Sequence, residues 1–217
     1  MLGKELLGSG SFGRVYKYKD KLNGDVYAIK DIIISDVKNK FLKEVNHLGK
    51  LQSIYVVKCY DIWTEKKRLY IQMELCTKSL KDLLEEKAIA FQRQPNQTFD
   101  SFEYFITSHL MLEMFECVEY LHTSQPPVIH RDLKPANILI NDKPIDNRFL
   151  KLCDFGLATH HNRMGSQSDT HTNNVGTDKY MAPEVKSGNN YNEKSDIYSM
   201  GFILLDLFDI NDNIDME

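Results

Sequence analysis

The chain has 217 residues, 42% of them apolar, with 6 prolines and 11 glycines. That composition supplies one sizeable core or two small lobes and excludes collagen, coiled coil and wholesale disorder. A net charge of −4 is too mild to point to nucleic acid or a membrane surface as partner.

Strand texture dominates the first 75 residues. Val15-Tyr16-Lys17-Tyr18-Lys19 and the run from Val26 to Ile32 alternate at period two, and Asn23-Gly24-Asp25 between them is a hairpin turn signal. Over 37–51 the period becomes helical, with Phe41, Val45 and Leu48 on one stripe. Two more strands are expected over 56–64 and 68–75, joined by Glu65-Lys66-Lys67. Helices follow: 79–87 with Ser79 as N-cap, and 101–124 with Ile106, Leu110, Met114, Cys117 and Leu121 in register. A polar loop fills 88–100. Brief strands at 138–140 and 150–153 flank a polar turn over 142–148, and 160–174 reads as a loop. The last helix, 193–208, is apolar on most sides and is expected to be deeply buried. No run approaches the ~18 apolar residues of a membrane span. The N-terminus lacks the regions of a signal peptide, and the 4 cysteines form no CxxC pair. The expectation is an intracellular, cytoplasmic protein with buried free thiols.

Three constellations carry chemistry. Gly8-Ser9-Gly10-Ser11-Phe12-Gly13 has the glycine spacing that lets backbone approach phosphate oxygens. A Rossmann loop would open a helix; here strand-like residues follow, so the loop joins two strands. Lys30 sits in a strand, where a lysine is by default solvated. Glu44, on the otherwise apolar stripe of its helix, is a costly carboxylate unless it meets a cation, so a Lys30–Glu44 pair is expected. The third constellation is the most specific: His130-Arg131-Asp132-Leu133-Lys134-Pro135-Ala136-Asn137, then Asp154-Phe155-Gly156, then Ala182-Pro183-Glu184. It offers a general base (Asp132), a phosphate-facing cation (Lys134) and two oxygen ligands for a hard divalent ion (Asn137 and Asp154).

In these motifs, and over essentially its whole length, the chain resembles the eukaryotic serine/threonine protein kinases. The resemblance implies a bilobal α+β fold, with an antiparallel-sheet lobe over 1–76 and a mainly helical lobe over 77–217. It implies ATP and Mg2+ as cofactors and a protein hydroxyl as acceptor. By it, Leu7, Gly8, Gly10 and Gly13 cover the nucleotide, and Val15, Ala28 and Leu139 enclose the purine. Met73 is the gatekeeper, with Glu74 and Cys76 presenting hinge backbone groups. Lys30, paired with Glu44, holds phosphate; Asp132 accepts the substrate proton; Lys134 steadies the γ-phosphate; Asn137 and Asp154 bind Mg2+. Leu48, Phe155, His130 and Cys59 would stack as an internal spine.

Lys134 followed by Pro135, and Thr177 in Gly176-Thr177-Asp178-Lys179-Tyr180, resemble the serine/threonine branch. Within the loop before Glu184, Thr172 is the expected phosphorylation site, its phosphate pairing with Arg131. Tyr60-Asp61-Ile62-Trp63-Thr64-Glu65, the run from Leu69 to Cys76 and the run from His171 to Glu184 are similar to the kinases of the translation initiation factor 2 alpha subunit. That resemblance implies this substrate and a homodimer through the small lobe, with no direct nucleic-acid or membrane contact. The alternatives are a generic serine/threonine kinase of a cell-cycle or stress pathway and an ATP-binding scaffold without efficient transfer. The family continues beyond the helix at 193–208, so the expectation is a C-terminally truncated large lobe that exposes apolar surface.

Overall fold

The computed structural model describes residues 4–10, 13–33, 51, 53–94, 97–155, 159–160, 178–187 and 192–210. Five strands form the first sheet: β1 (Lys4–Gly10), β2 (Gly13–Lys19), β3 (Val26–Ile33), β4 (Cys59–Glu65) and β5 (Arg68–Glu74). They pair antiparallel in the order β1-β2-β3-β5-β4. The β2–β3 turn closes where the sequence signals it. Asp20 Oδ1 accepts from Leu22 N at 2.8 Å and Asn23 Oδ1 from Asp25 N at 3.0 Å, while Gly24 takes a φ of 78°. Such local side-chain-to-backbone bonds are what make Asp, Asn and Gly turn residues. Between β4 and β5 the turn is made by Lys66 and Lys67, both left-handed at φ 48° and 62°, the twist a two-residue hairpin requires.

The strand expected over 56–64 begins only at Cys59. The backbone just before it is used elsewhere: Val57 N donates to Leu152 O and Leu152 N donates to Tyr55 O, each at 2.9 Å. Val56 therefore bridges, in parallel, to a strand of the second lobe.

That second lobe contains β6 (Lys78–Ser79), α1 (Leu80–Ala90), α2 (Ser101–Thr123), β7 (Val128–Ile129), β8 (Ile138–Ile145), β9 (Arg148–Leu152), β10 (Thr159–His160), α3 (Pro183–Lys186) and α4 (Lys194–Leu207). Ser79 is the N-cap of α1 as expected, in a reciprocal capping box with Asp82. The helix runs on to Ala90, past the predicted end. Asp100 caps α2 by accepting from Glu103 N at 2.7 Å. Leu110, Met114, Cys117 and Leu121 of α2 are buried along the predicted stripe.

The polar stretch 142–148 is not a plain turn. It extends β8 and β9 into a longer hairpin, turning at Asp146 and Asn147, which take φ values of 54° and 58°. Polar composition hid the strand here, while two adjacent residues tolerant of left-handed backbone supplied the turn. β8 lies between β6 and β9 in a three-stranded sheet, and β7 pairs with β10. The helix α4 buries Met200, Ile203 and Leu207 but leaves Ile197 and Tyr198 exposed, so its burial is one-sided. A single apolar cluster runs from Ile32, Leu69 and Ile71 of the sheet lobe through Val56, Leu152 and Phe155 to Met114, Leu121 and Ile203. Among the described residues, no helix is long and apolar enough to cross a membrane.

Candidate active site

The loop that follows β7 is built on a carboxylate from another element. Asp196, in the first turn of α4 and fully buried, accepts from His130 N at 2.9 Å and from Arg131 N at 2.8 Å, and its Oδ2 lies 2.8 Å from His122 Nε2. These contacts hold the chain through a left-handed Arg131 at φ 70°, a conformation uncommon outside glycine and asparagine. Asp132 is thereby fixed at the mouth of the loop.

Three residues on, a 3-10 turn over Pro135–Asn137 returns Asn137 to Asp132. Asn137 Nδ2 donates to Asp132 O at 2.7 Å and to Asp132 Oδ2 at 3.0 Å. Both partners are acceptors, so they fix the amide nitrogen there and turn the carbonyl oxygen away. Lys134 Nζ sits 3.1 and 2.8 Å from the two Asp132 oxygens.

β9 delivers the third group. Cys153 N donates to Asn137 O at 3.0 Å, and His130 Nε2 lies 3.0 Å from Cys153 O. The His130 and Phe155 rings are 5.1 Å apart, which realises that contact of the expected spine. Asp154 then adopts φ 63° and aims its carboxylate across the cleft, where Lys30 Nζ lies 3.0 Å from Oδ1. Burial works against the Asp154 charge, but the Lys30 ammonium and its hydrogen bond hold this carboxyl below the usual carboxylate range.

Lys30, Asp132, Lys134, Asn137 and Asp154 are thus brought together. Glu44, Leu48, Gly156, Thr172 and Thr177 lie outside the described residues, so the Lys30–Glu44 pair and the phosphate at Thr172 do too. On the roof of the cleft, Ala28 pairs across to Met73 and Val15 to Lys30, while Leu139 on β8 stands opposite Lys151. Leu7, Gly8, Gly10 and Gly13 lie in the β1–β2 hairpin, Gly10 directly opposite Gly13.

A Cβ on Gly13, which has φ 124°, would come within 2.5 Å of Asp31 O, so this glycine is required by the approach of β3 as well as by any ligand. Gly8 has nothing within 4 Å of such a Cβ. The Glu74 N–H donates to Lys58 O at 2.9 Å, so of the two backbone groups of this residue it is the carbonyl to which the hinge expectation applies. Its side chain accepts from Lys58 N and from Lys151 Nζ, each at 2.6 Å. Cys76 is half-buried, and desolvation with the Glu74 charge pushes its thiol up to about 12.

Sequence reasoning missed Asp196 and Lys151. The signal for Asp196 was present, a carboxylate at the start of an apolar helix, but its partners lie far away in the chain. Among the described residues no group of three or more histidines, cysteines and carboxylates could hold a metal. Two oxygen donors, Asp154 and the outward-turned amide of Asn137, suit a hard cation that brings phosphate and water as its remaining ligands.

The antiparallel-sheet lobe, the helical lobe and the cleft between them define a bilobal α+β fold of the protein kinase class. Residues 2–213 match the protein kinase domain family, and the chain belongs to that family. It is 34% identical over 207 residues to calcium-dependent protein kinase 4 of Plasmodium falciparum (isolate 3D7), covering 93% of this chain and 36% of that protein. It is 32% identical over 226 residues to the interferon-induced, double-stranded RNA-activated protein kinase of Rattus norvegicus, covering 95% of this chain and 40% of that protein. The serine/threonine-protein kinase pakG of Dictyostelium discoideum is 34% identical over 207 residues, covering 93% of this chain and 16% of its own length. The chain thus spans well under half of each of these relatives.

Proposed function

We propose that the chain transfers the γ-phosphate of ATP to a serine or threonine hydroxyl of a protein. The observation that carries this is Asp132, held by Lys134 and Asn137, next to the Lys30–Asp154 pair. Asp132 takes the proton of the acceptor hydroxyl as its oxygen bonds to the γ-phosphorus, and the bond from that phosphorus to the β-phosphate oxygen breaks, releasing ADP. Lys30 and Lys134 offset negative charge on the phosphates. Asn137 and Asp154 would hold Mg2+, which would offset negative charge on the phosphates. Leu7, the loop glycines, Val15, Ala28, Met73, Cys76 and Leu139 enclose the nucleotide in this reading. Thr172, once phosphorylated, pairs with Arg131.

The test is transfer of labelled phosphate to a generic serine peptide in the presence of MgATP. Asp132→Asn is expected to reduce the rate by about 10²–10⁴-fold, the usual range for a positioned base. An unchanged rate would remove Asp132 from the mechanism. Nucleotide-dependent thermal stabilisation without any transfer by the unaltered chain would favour a scaffold.

The finer reading is that the substrate is the alpha subunit of translation initiation factor 2. Its support is the sequence around Tyr60–Glu65, Leu69–Cys76 and His171–Glu184, and it implies a homodimer through the small lobe. The calcium-dependent kinases match the chain as well as the RNA-activated kinase does. Phosphorylation of a generic peptide with none of that subunit would leave the generic serine/threonine kinase.

A further inference from the structure

Beside the catalytic loop lies an open groove of about 510 Å³ between α1, the 3-10 turn over Asp178–Tyr180 and the C-terminal end of α4. Pro135 forms part of its wall. Pro135 is three residues from Asp132, and three residues span at most about 10 Å. The groove is therefore within reach of the residues immediately flanking the acceptor of any peptide whose hydroxyl meets Asp132. The apolar lining is Leu84, Leu205 and Ile210, and the acidic lining is Glu85, Asp206 and Asp209.

Three carboxylates beside a peptide path would ordinarily select basic side chains. Here each one already has a cation of this chain. Asp206, the most sequestered, receives Lys179 Nζ at 2.5 Å on Oδ1 and Tyr180 OH at 2.7 Å on Oδ2. Asp209 pairs with Lys87 at 3.2 Å and with Arg93. Glu85 has Lys81 one helical turn away at 3.7 Å. Lys81 and Lys179 themselves line the groove.

We propose that Lys179 is a specificity-determining residue: by occupying Asp206 it makes this groove select neutral and apolar residues beside the acceptor hydroxyl and removes any preference for arginine or lysine there. A basic side chain entering would have to displace the Lys179 ammonium, exchanging one charge pair for another, and would meet Lys179 itself as a like charge. A leucine or valine meets Leu84, Leu205 and Ile210. The inference rests on the phosphotransfer reading above for the direction of the peptide and adds the substrate class.

The experiment uses the whole 217-residue chain with MgATP and serine peptides that differ only in carrying Arg or Ala at each of the three positions on either side of the acceptor. For the unaltered chain the Arg/Ala ratio of kcat/KM is expected to exceed about one at no position and to fall below it where the side chain enters the groove. Lys179→Ala is expected to raise that ratio about tenfold at one position, through KM, because Asp206 is released; one such charge contact is of that order. The double variant Lys179→Ala/Asp206→Asn is expected to lose the gain. Lys179→Met, which keeps the aliphatic stem, repeats the first result if the alanine variant folds poorly. An unaltered chain that already prefers Arg tenfold overturns the proposal, as does a Lys179 variant that slows both peptides equally. Absence of transfer to every peptide would count against the phosphotransfer reading instead. The same Arg/Ala ratio is then read from peptide binding by fluorescence anisotropy, which needs no transfer and decides the proposal by the same outcomes.

Discussion

Asp196 satisfies two backbone N–H groups and a histidine in a place that water does not reach. Removing it would orphan both amides, each at about 1–3 kcal/mol. Asp196→Ala is therefore expected to lower unfolding stability by about 2–5 kcal/mol, measured by urea denaturation. Asp196→Asn, which keeps one acceptor, should lose distinctly less. Equal stability in the alanine variant would mean that the loop before Asp132 does not depend on this carboxylate. A second residue-scale consequence concerns acid. Asp82, held by Ser79, and Asp154, held by Lys30 against the effect of burial, both lie below their ordinary value of 3.8. Glu116, held by Arg148, lies below its ordinary 4.5. The unfolded chain binds protons on these groups more readily than the folded chain does. The stability they contribute is full above their unfolded values and is lost as pH falls through the lower folded values. The melting temperature is thus expected to hold down to about pH 5 and to fall below about pH 4, mostly through Asp154, since Asp82 and Glu116 lie partly exposed and their contacts are screened; a flat profile to pH 3 would refute the assignment.

At the scale of elements, the glycine loop separates into positions with different duties. Gly13 abuts β3, so Gly13→Ala forces the strands apart and is expected to destabilise the chain by about 1–3 kcal/mol. Gly8 faces open space, so Gly8→Ala is expected to leave the melting temperature within about 2 °C while weakening nucleotide binding. Differential scanning fluorimetry with and without MgATP checks both; an equal loss of stability at the two positions would contradict the distinction. Much of this level was legible in the sequence. The capping box of Ser79, the stripe of α2 and the hairpin at Asn23-Gly24 all depend on neighbours within a few residues. What could not be read depended on remote partners. Val56 looks like strand but pairs with β9; the polar run 142–148, by contrast, has a near partner in the other arm of its own hairpin and was hidden by composition alone. In the candidate site, Lys30, Asp132, Asn137 and Asp154 were recognisable from motif spacing, whereas the Glu74–Lys151 pair joins residues that no local pattern connects.

At the scale of the whole molecule, β9 belongs to the large lobe by its hairpin with β8, yet it is also the surface on which the small lobe rests. Lys151 reaches back to Glu74 at the end of β5, and Leu152 exchanges two backbone hydrogen bonds with the segment 55–57 that leads into β4. The chain from Leu75 to Thr77 is therefore not the sole joint between the lobes. Two further tethers lie behind it, both on adjacent residues of one strand. With these tethers at the back of the cleft and only the Lys30–Asp154 pair described across its front, rotation of one lobe against the other is expected to turn about β9, so that the cleft opens as a book does along its spine, widest at the glycine hairpin. Amide hydrogen exchange should record that geometry. The N–H groups of Val57 and Leu152 are expected to exchange only with global unfolding, and those of β1 and β2 orders of magnitude faster. Comparable rates at the two places would mean that the lobes part altogether when a nucleotide enters.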